Sequence, residues 1–273
     1  MPVIDQILAD GTHVRVEGAG RPLVLVHGVG MDLTMWDPLA ARLTDFQLIR
    51  YDMIGHGSSP KPAGPYHLKD YVDQLLRLAH ALQLKEFDLL GFSMGGLVAQ
   101  GFAVQHGNLL DRLFLLNTVY RRSDEERAAI ARRVIDVGNG GYPASVDAAI
   151  ERWFTPTFLR DNADIVGDIR KHMLGNDLAA YAAAYQVFAT ADAELAAVVA
   201  GITTPTLVMT GSDDQRSTVA MAQALAACMP RAQASVIAGQ RHLTPIECPD
   251  EIAARIRDYR APVDAMQGRS QHG

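Results

Sequence analysis

The sequence predicts an α/β protein in which helices cover both faces of a mostly parallel, twisted sheet and a helical lid is inserted between two late strands. Short apolar runs alternate with segments of helical period from residue 22 to residue 117, which is typical of parallel strands joined by helical crossovers. These runs then stop and resume only near residue 205. We expect three parts: a core over 1–118 and 201–260, a lid over 119–200, and a disordered tail over 261–273.

The composition indicates a globular protein with one large core. The 273 residues are 48% hydrophobic and 21% charged, which is an ordinary balance for such a fold. The net charge of −6 and the lack of long basic clusters argue against nucleic acid or an anionic membrane as a partner. We expect a cytoplasmic protein, because no leader or membrane-spanning pattern is present and Cys228 and Cys248 lack redox or metal spacing.

The first elements are a hairpin and a buried strand. Residues 2–17 alternate loosely between apolar and polar around a central turn, which predicts an antiparallel hairpin at a sheet edge. Residues 22–26 form a continuous Val- and Leu-rich run, as expected for a strand covered on both faces. The loop that follows contains His27, for which we favour a structural hydrogen bond to loop backbone. A helix over about 33–43 would place Trp36 in the packing.

The next strand and its turn supply polar groups that we interpret as structural. The strand spans residues 48–52, and the turn over 53–59 is rich in glycine. Asp52 and His56 are expected to satisfy neighbouring backbone groups. A metal site is the alternative, which we disfavour because no third ligand is near. Residues 68–82 follow the helical period and should cover one face of the sheet.

Residues 91–96, Gly-Phe-Ser-Met-Gly-Gly, lie where an apolar strand over 87–90 meets a small-residue helix. A serine between glycines at a sharp strand-to-helix turn is the pattern of a nucleophile elbow. The alternative is a glycine-rich turn with an incidental serine. In the first interpretation Ser93 is the nucleophile, and the free N–H of Met94 at the helix start faces an anion above it.

The lid begins after a further strand over residues 113–117. A capping box at Ser123 and Glu126 starts the first of four helical segments, expected over 124–137, 144–153, 163–174 and 177–189. Because the insertion follows the carboxyl end of a parallel strand, it should lie over the edge where ligands bind. Five aromatic side chains could line a pocket or form the lid's own core, which we favour: Trp153, Phe154, Phe158, Tyr181 and Tyr185.

The last strands bring the remaining polar groups to the same edge. A strand over 205–210 precedes Asp213 and Asp214, and a strand over 234–237 precedes His242. Helices over about 218–228 and from Pro249 to about residue 259 complete the core.

Ser93, an acid and His242 follow one another in the chain order of α/β serine hydrolases. His242 would act as the general base and Asp214 would orient its imidazole. Asp213 competes for that role, and its distance from Gly211 makes it the less favoured of the two. The N–H groups of Val29 and Met94 are the expected oxyanion donors.

These motifs closely resemble the α/β-hydrolase superfamily over residues 3–260. Within it, three further segments resemble 3-oxoadipate enol-lactone hydrolases: 36–38, Asn117-Thr118 with Arg121, and 151–156. The resemblance implies a hydrolase that needs neither cofactor nor metal and acts on a small ester or lactone through an acyl-Ser93 intermediate. Arg241 and Ser212 depart from the pattern of these relatives.

If the substrate carries a carboxylate, as the resemblance implies, a lid cation should pair with it. The candidates for substrate binding are Arg121, Arg152 and Trp153, although both arginines are equally well interpreted as solvated surface charges. The oligomeric state is left open.

Two other functions compete. Hydrolysis of a carbon-carbon bond in a vinylogous diketone uses the same fold, but Met31 and Phe92 stand where those relatives tend to have proline and asparagine. A non-catalytic ligand receptor on this fold is the alternative from a different class, and no interaction segment in the sequence favours it. Dehalogenases and related epoxide hydrolases are disfavoured, because they have an aspartate nucleophile in place of Ser93.

Overall fold

The computed structural model describes residues 3–136 and 141–260, except for the side chains of 133–136. The tail predicted for 261–273 lies outside these residues. Among them no helix is long and apolar enough to cross a bilayer. Eight strands form one sheet: β1 (Ile4–Ile7), β2 (His13–Gly18), β3 (Arg21–Val26), β4 (Phe46–Tyr51), β5 (Phe87–Phe92), β6 (Leu110–Leu116), β7 (Thr206–Gly211) and β8 (Ala232–Ile237).

The sheet has the order β1-β2-β4-β3-β5-β6-β7-β8. β1 and β2 form the predicted edge hairpin, and β2 also runs antiparallel to β4. All other neighbours are parallel. The carboxyl ends of β3 to β8 therefore meet at one edge, as expected for a mostly parallel sheet.

Eleven α-helices accompany the sheet in the described residues: α1 (Asp37–Ala40), α2 (Leu68–Ala81), α3 (Met94–His106), α4 (Asp124–Asp136), α5 (Tyr142–Trp153), α6 (Pro156–Asp161), α7 (Ala163–Leu174), α8 (Leu178–Leu195), α9 (Val219–Cys228), α10 (Thr244–Glu247) and α11 (Pro249–Arg260). One apolar cluster joins α2, α3 and α9 to the sheet, and a second joins α1 and α11 to it. Helices thus cover both faces, which explains the nearly continuous burial of β5 and β7.

The segment between β6 and β7 holds α4 to α8 and contains no strand among its described residues. We call it the helical insertion. Its helix α8 contributes Ala184 and Val187 to the cluster around α3, while Val146 and Ile150 of α5 join the cluster around Trp36. The helical insertion is therefore packed against both halves of the core.

Most element bounds differ from the predicted ones by one to three residues, and three differences are larger. The helix expected over 33–43 is a 3-10 turn, Leu33–Trp36, followed by the short α1 with proline in its first turn. Thr155 and Pro156, interpreted only as a break, instead begin α6, since the Thr155 hydroxyl caps the helix at the Phe158 N–H, 3.2 Å away. α8 continues to Leu195 because alanines and leucine remain buried there.

Candidate active site

Ser93 lies at the junction of β5 and α3 in a strained conformation. Its φ of 54° and ψ of −115° lie in a region of backbone conformation that residues other than glycine rarely adopt. A Cβ on Gly91 would lie 2.2 Å from the Gly95 carbonyl oxygen, and one on Gly95 would lie 2.2 Å from that of Val26. Both glycines are therefore needed for the close packing of this turn.

Ser93, His242 and Asp214 form one continuous hydrogen-bonded chain. The Ser93 Oγ lies 3.2 Å from His242 Nε2, and His242 Nδ1 lies 2.6 Å from Asp214 Oδ2. All three residues are buried. Asp213 is exposed and accepts a hydrogen bond from the Ser212 hydroxyl instead. Of the two predicted acids, the structure thus brings Asp214 to His242.

The Asp214 carboxylate is held on both sides. Its Oδ1 accepts hydrogen bonds from the N–H groups of Arg216 and Ser217 at 2.9 and 3.0 Å. Burial alone would raise its pKa, but the charge of His242 and the hydrogen bonds that Asp214 accepts outweigh burial and lower the pKa. Asp214 is consequently ionised at neutral pH.

Asn117 is a site residue whose position sequence reasoning did not identify. It follows β6 with a φ of 48°, and its Nδ2 donates to Asp214 Oδ2 at 2.8 Å and to the Arg241 carbonyl at 3.2 Å. Its Oδ1 accepts from the Thr244 hydroxyl at 2.7 Å. The usable signal was an asparagine directly after a buried strand, at the sheet edge that carries the acid.

The helical insertion holds the loop that carries His242. The Trp153 carbonyl, at the end of α5, accepts hydrogen bonds from the N–H groups of both His242 and Leu243 at 2.9 and 3.0 Å. Arg241 Nη1 donates to the Glu151 and Phe154 carbonyls at 2.7 and 2.9 Å. Arg241, a departure from the resembled relatives, therefore ties the two segments together.

The two amides predicted as oxyanion donors lie in the loop after β3 and at the start of α3. Within the described residues neither Val29 nor Met94 donates a hydrogen bond from its N–H. The loop that carries Val29 is fixed from below, because His27 accepts from the Met53 N–H at Nε2 and donates from Nδ1 to the Gly28 carbonyl. Burial lowers the pKa of His27 to about 4, so this imidazole stays neutral in its structural role.

The helical insertion also contacts this loop from above. The Gly30 carbonyl accepts from Asn176 Nδ2 at 2.9 Å and lies 3.2 Å from His172 Nε2. Gly30 has a φ of 78°, and a Cβ there would lie 2.8 Å from the Tyr181 ring. Glycine is thus required for the close approach of the loop to the helical insertion.

A cavity opens above Ser93 and His242 and is lined by both the core and the helical insertion. Trp153 lines it, and its ring centroid lies 6.4 Å from that of His242. Tyr181 and Tyr185 also line it, whereas Phe154 and Phe158 stack on each other at 4.7 Å and do not. The predicted aromatic set is therefore divided between the cavity wall and the packing of the helical insertion.

The predicted arginines are divided as well. Arg152 lines the cavity, but Arg121 is exposed and lies outside the lining, with its guanidinium 5.2 Å from the Tyr120 ring centroid. The neighbouring Arg122 lines the cavity instead. Of the two predicted arginines, the structure thus places only Arg152 at the cavity, while Arg121 lies outside the lining with a left-handed φ of 49°.

The other polar cluster is structural. Asp52 accepts hydrogen bonds from the N–H groups of Leu33 and Ser58 at 2.8 and 2.7 Å, and His56 Nδ1 lies 3.0 Å from the Ile54 carbonyl. Nowhere in the described ranges do three or more His, Cys, Asp or Glu side chains form a group that could hold a metal ion.

The strand order, the elbow after β5 and a helical insertion over the carboxyl edge define a hydrolase of the α/β class. The sequence profile described as Alpha/beta hydrolase family matches residues 23–255. The chain belongs to the α/β hydrolase family, and it is a hydrolase.

Two curated relatives from Acinetobacter baylyi and one solved structure are similar to it. The (E)-2-((N-methylformamido)methylene)succinate hydrolase is 33% identical over 242 residues, 88% of this chain and 90% of the relative. The 3-oxoadipate enol-lactonase 2 is 30% identical over 85% of each chain. The crystal structure of the enol-lactonase from Burkholderia xenovorans LB400 superposes with a TM-score of 0.84 at 30% identity, over 91% of this chain and 95% of that one. The resemblance to enol-lactone hydrolases is thus confirmed.

Proposed function

We propose that this protein opens a lactone or cleaves a carboxylic ester through an acyl-Ser93 intermediate, in the manner of an enol-lactone hydrolase. The observation that carries the proposal is the hydrogen-bonded chain from Ser93 through His242 to Asp214 at the floor of the cavity. Such a chain suits acyl transfer, since each group has the partner that its role needs.

In the proposed reaction, His242 Nε2 takes the proton of the Ser93 hydroxyl as Oγ attacks the substrate carbonyl. The N–H groups of Val29 and Met94 stabilise the oxyanion of the tetrahedral intermediate. When the intermediate collapses, the carbon-oxygen bond to the leaving group breaks and His242 returns the proton to that oxygen. Water, deprotonated by His242, then attacks the acyl-enzyme and releases the carboxylic acid and Ser93.

A substrate with a carboxylate is favoured by the relatives. Their names refer to a succinate derivative and to 3-oxoadipate, both of which carry carboxylates. In this chain arginines line the cavity, among them the predicted Arg152, and the apolar wall includes the predicted Trp153. We infer that the cavity accepts a small anionic ester or lactone.

The experiment compares kcat/KM for 3-oxoadipate enol-lactone with that for a neutral aryl ester of similar size, with Ser93→Ala as the blank. The expected preference for the anionic lactone is roughly 100-fold, equivalent to about 2.7 kcal/mol of differential transition-state binding. Equal rates would restrict the function to general ester hydrolysis. Activity that survives in Ser93→Ala would contradict the mechanism.

The same assay separates the other candidate functions. A vinylogous diketone, offered as a third substrate, reports carbon-carbon bond hydrolysis, and a clear preference for it would replace the lactone. A protein that hydrolyses none of the three but gains thermal stability with the lactone would be a ligand receptor.

A further inference from the structure

Arg122 is the most deeply buried cation among the residues that line the cavity. It follows β6, its side chain is only 2% exposed, and it belongs to the same lining as Ser93 and His242. Its Nη2 donates to Asp192 Oδ1 at 2.7 Å and also to the Phe188 carbonyl. Its backbone N–H donates to Asp192 Oδ2 at 2.9 Å. The guanidinium is therefore fixed in place by α8.

Two of its donors are left without an acceptor. Nε and Nη1 are buried and make no hydrogen bond within the described residues. A guanidinium keeps its charge in any protein environment, so it cannot relieve the deficit by losing a proton. Each buried donor without a partner destabilises the fold. A fixed, charged side chain with open donors at a cavity wall is suited to an anionic ligand.

The charges around Arg122 nearly balance. Asp192 balances one positive charge, but it also lies 3.7 Å from Arg127 Nη1 and so serves two arginines. The cavity lining itself carries three arginines and two carboxylates. One of those carboxylates, Asp214, is bound to His242, and the other, on Glu126, accepts the Ser123 N–H. The lining alone has one more arginine than carboxylates, and Asp192 behind it offsets that charge, so a negative ligand would be held by the open donors of Arg122 and not by a net positive field.

The Phe188 ring stands over the guanidinium. The Arg122 Cζ lies 4.8 Å from its centroid, and the same residue lines the cavity. The open donors Nε and Nη1 are buried behind the cavity surface. For a ligand carboxylate to reach Nε or Nη1, the Phe188 side chain has to move aside, and this movement is part of the proposal below.

We propose that Arg122 forms a carboxylate-binding subsite that holds the acid group of the substrate while its ester or lactone carbonyl lies over Ser93. This inference rests on the proposed function for the reaction itself. It assigns the anion site to Arg122 instead of the sequence candidate Arg121, and it limits the preferred substrates to esters or lactones with a carboxylate.

The test uses two matched substrates, 4-nitrophenyl hydrogen adipate and its neutral methyl ester, with Arg122→Lys. Lysine keeps the charge and the pairing with Asp192, but its single Nζ cannot also place donors at the positions of Nε and Nη1. We expect kcat/KM for the anionic ester to fall roughly 10- to 100-fold, the value of one charge-assisted hydrogen bond, while the neutral ester changes less than about twofold. Arg170→Lys is the control, because Arg170 makes an exposed ion pair with Asp147 and does not line the cavity.

An equal loss with both esters, or no loss with either, overturns the subsite. A second variant guards against misfolding: Arg122→Gln with Asp192→Asn removes the buried pair together, Arg127 keeps its ion pair with Asp124, and the thermal midpoint reports the fold. The same selective loss of the anionic ester is expected from it.

A binding measurement separates this inference from the proposed function. With Ser93→Ala, calorimetry should show that adipate binds at least tenfold more weakly when Arg122→Lys is added. If the parent protein hydrolyses neither ester, the proposed function fails, and this calorimetry alone decides on the subsite. Adipate affinity unaffected by Arg122→Lys would refute it.

Discussion

At the scale of single residues, the orientation of the Asp214 carboxylate depends on the side-chain amide of Asn117, which makes no hydrogen bond to Ser93 within the described residues. Asn117 Nδ2 and His242 Nδ1 both bind Oδ2 of Asp214, so the carboxylate is oriented from two directions. Asn117 also tolerates the left-handed backbone at the end of β6. It is a positioning residue that fixes where the imidazole can lie.

Asn117→Asp should shift the pH profile of kcat/KM. The change removes a donor and puts a second carboxylate beside Asp214, and the added negative charge favours the protonated form of His242. We expect the acidic limb to move to higher pH by about one unit and the plateau to fall at least about tenfold. The profile is measured with the ester that the protein cleaves best.

Asn108→Asp is the control for this variant. It makes the same change of charge at an exposed position before the amino end of β6, at the opposite end of the strand from Asn117. An unchanged acidic limb in Asn117→Asp would show that Asn117 has no influence on the base.

The site residues that could be predicted from the sequence are those that belong to a recognisable motif. The elbow and the loops after β7 and β8 predicted a meeting of Ser93, Asp214 and His242, and the structure brings these side chains together. Asn117 and Arg122 could not be assigned in this way, because their contacts depend on β6 lying beside β7 and on α8 lying over the turn.

At the scale of elements, the helical insertion holds the loop that carries Val29. Asn176, which precedes α8, donates to the Gly30 carbonyl, and His172 of α7 lies beside the same oxygen. The loop is consequently fixed between the core and two helices of the helical insertion. In the proposed mechanism, this contact holds the Val29 N–H in place as charge develops on the substrate oxygen.

Asn176→Ala should therefore lower kcat about tenfold and leave KM nearly unchanged, since oxyanion stabilisation acts in the transition state. Steady-state kinetics with an ester substrate provides the measurement. Asn162→Ala removes a comparable side-chain bond within the helical insertion, to the Phe158 carbonyl at 3.3 Å, and should change neither constant. A rise in KM alone for Asn176→Ala would mean that this contact shapes substrate binding instead.

Element type was easier to predict than element order. Continuous apolar runs predicted β3, β5, β6 and β7, because strands covered on both faces have no polar side. In the sheet β4 lies between β2 and β3, out of chain order. This order depends on how the crossover connections pack, and no short stretch of sequence indicates it. α6 was not predicted because a proline can mark either the end of one helix or the first turn of the next, and Pro156 does the second.

At the scale of the whole molecule, two neutral histidines lie beneath the site. Burial lowers the pKa of His27 to about 4 and that of His56 to about 3, and their ring centroids are 5.0 Å apart. In the unfolded chain each titrates near its usual value of 6.5. The unfolded state therefore binds more protons below pH 6.5, and the free energy of unfolding falls from there toward pH 4.

His56→Asn should flatten this dependence. Asparagine can keep the donor to the Ile54 carbonyl that His56 Nδ1 supplies, but it does not titrate. Between pH 7.5 and 4.5, urea unfolding should show that the parent protein loses on the order of 2 kcal/mol more than the variant. Parallel curves for the two proteins would contradict the assignment.

The pKa of His13 is shifted in the opposite direction from those of His27 and His56. Burial favours its neutral form, but hydrogen bonds to Asp52 and Asp5 outweigh this and raise its pKa. Its contribution to stability is therefore complete below pH 6.5 and is lost as the pH rises through the folded value. Urea unfolding of His13→Asn should accordingly lack the gain in stability that the parent protein shows as the pH falls from the folded pKa of His13 to 6.5, and the slope below pH 6.5 should stay unchanged.

The carbonyl of Trp153 has a consequence for how this fold can diversify. Because the end of α5 holds the amides of His242 and Leu243, the helical insertion is part of the scaffold of the base as well as the roof of the cavity. A chimera that takes its whole roof from a relative inherits that relative's histidine geometry too. Recombination that seeks a new substrate without retuning proton transfer must place its crossover points outside residues 151–154.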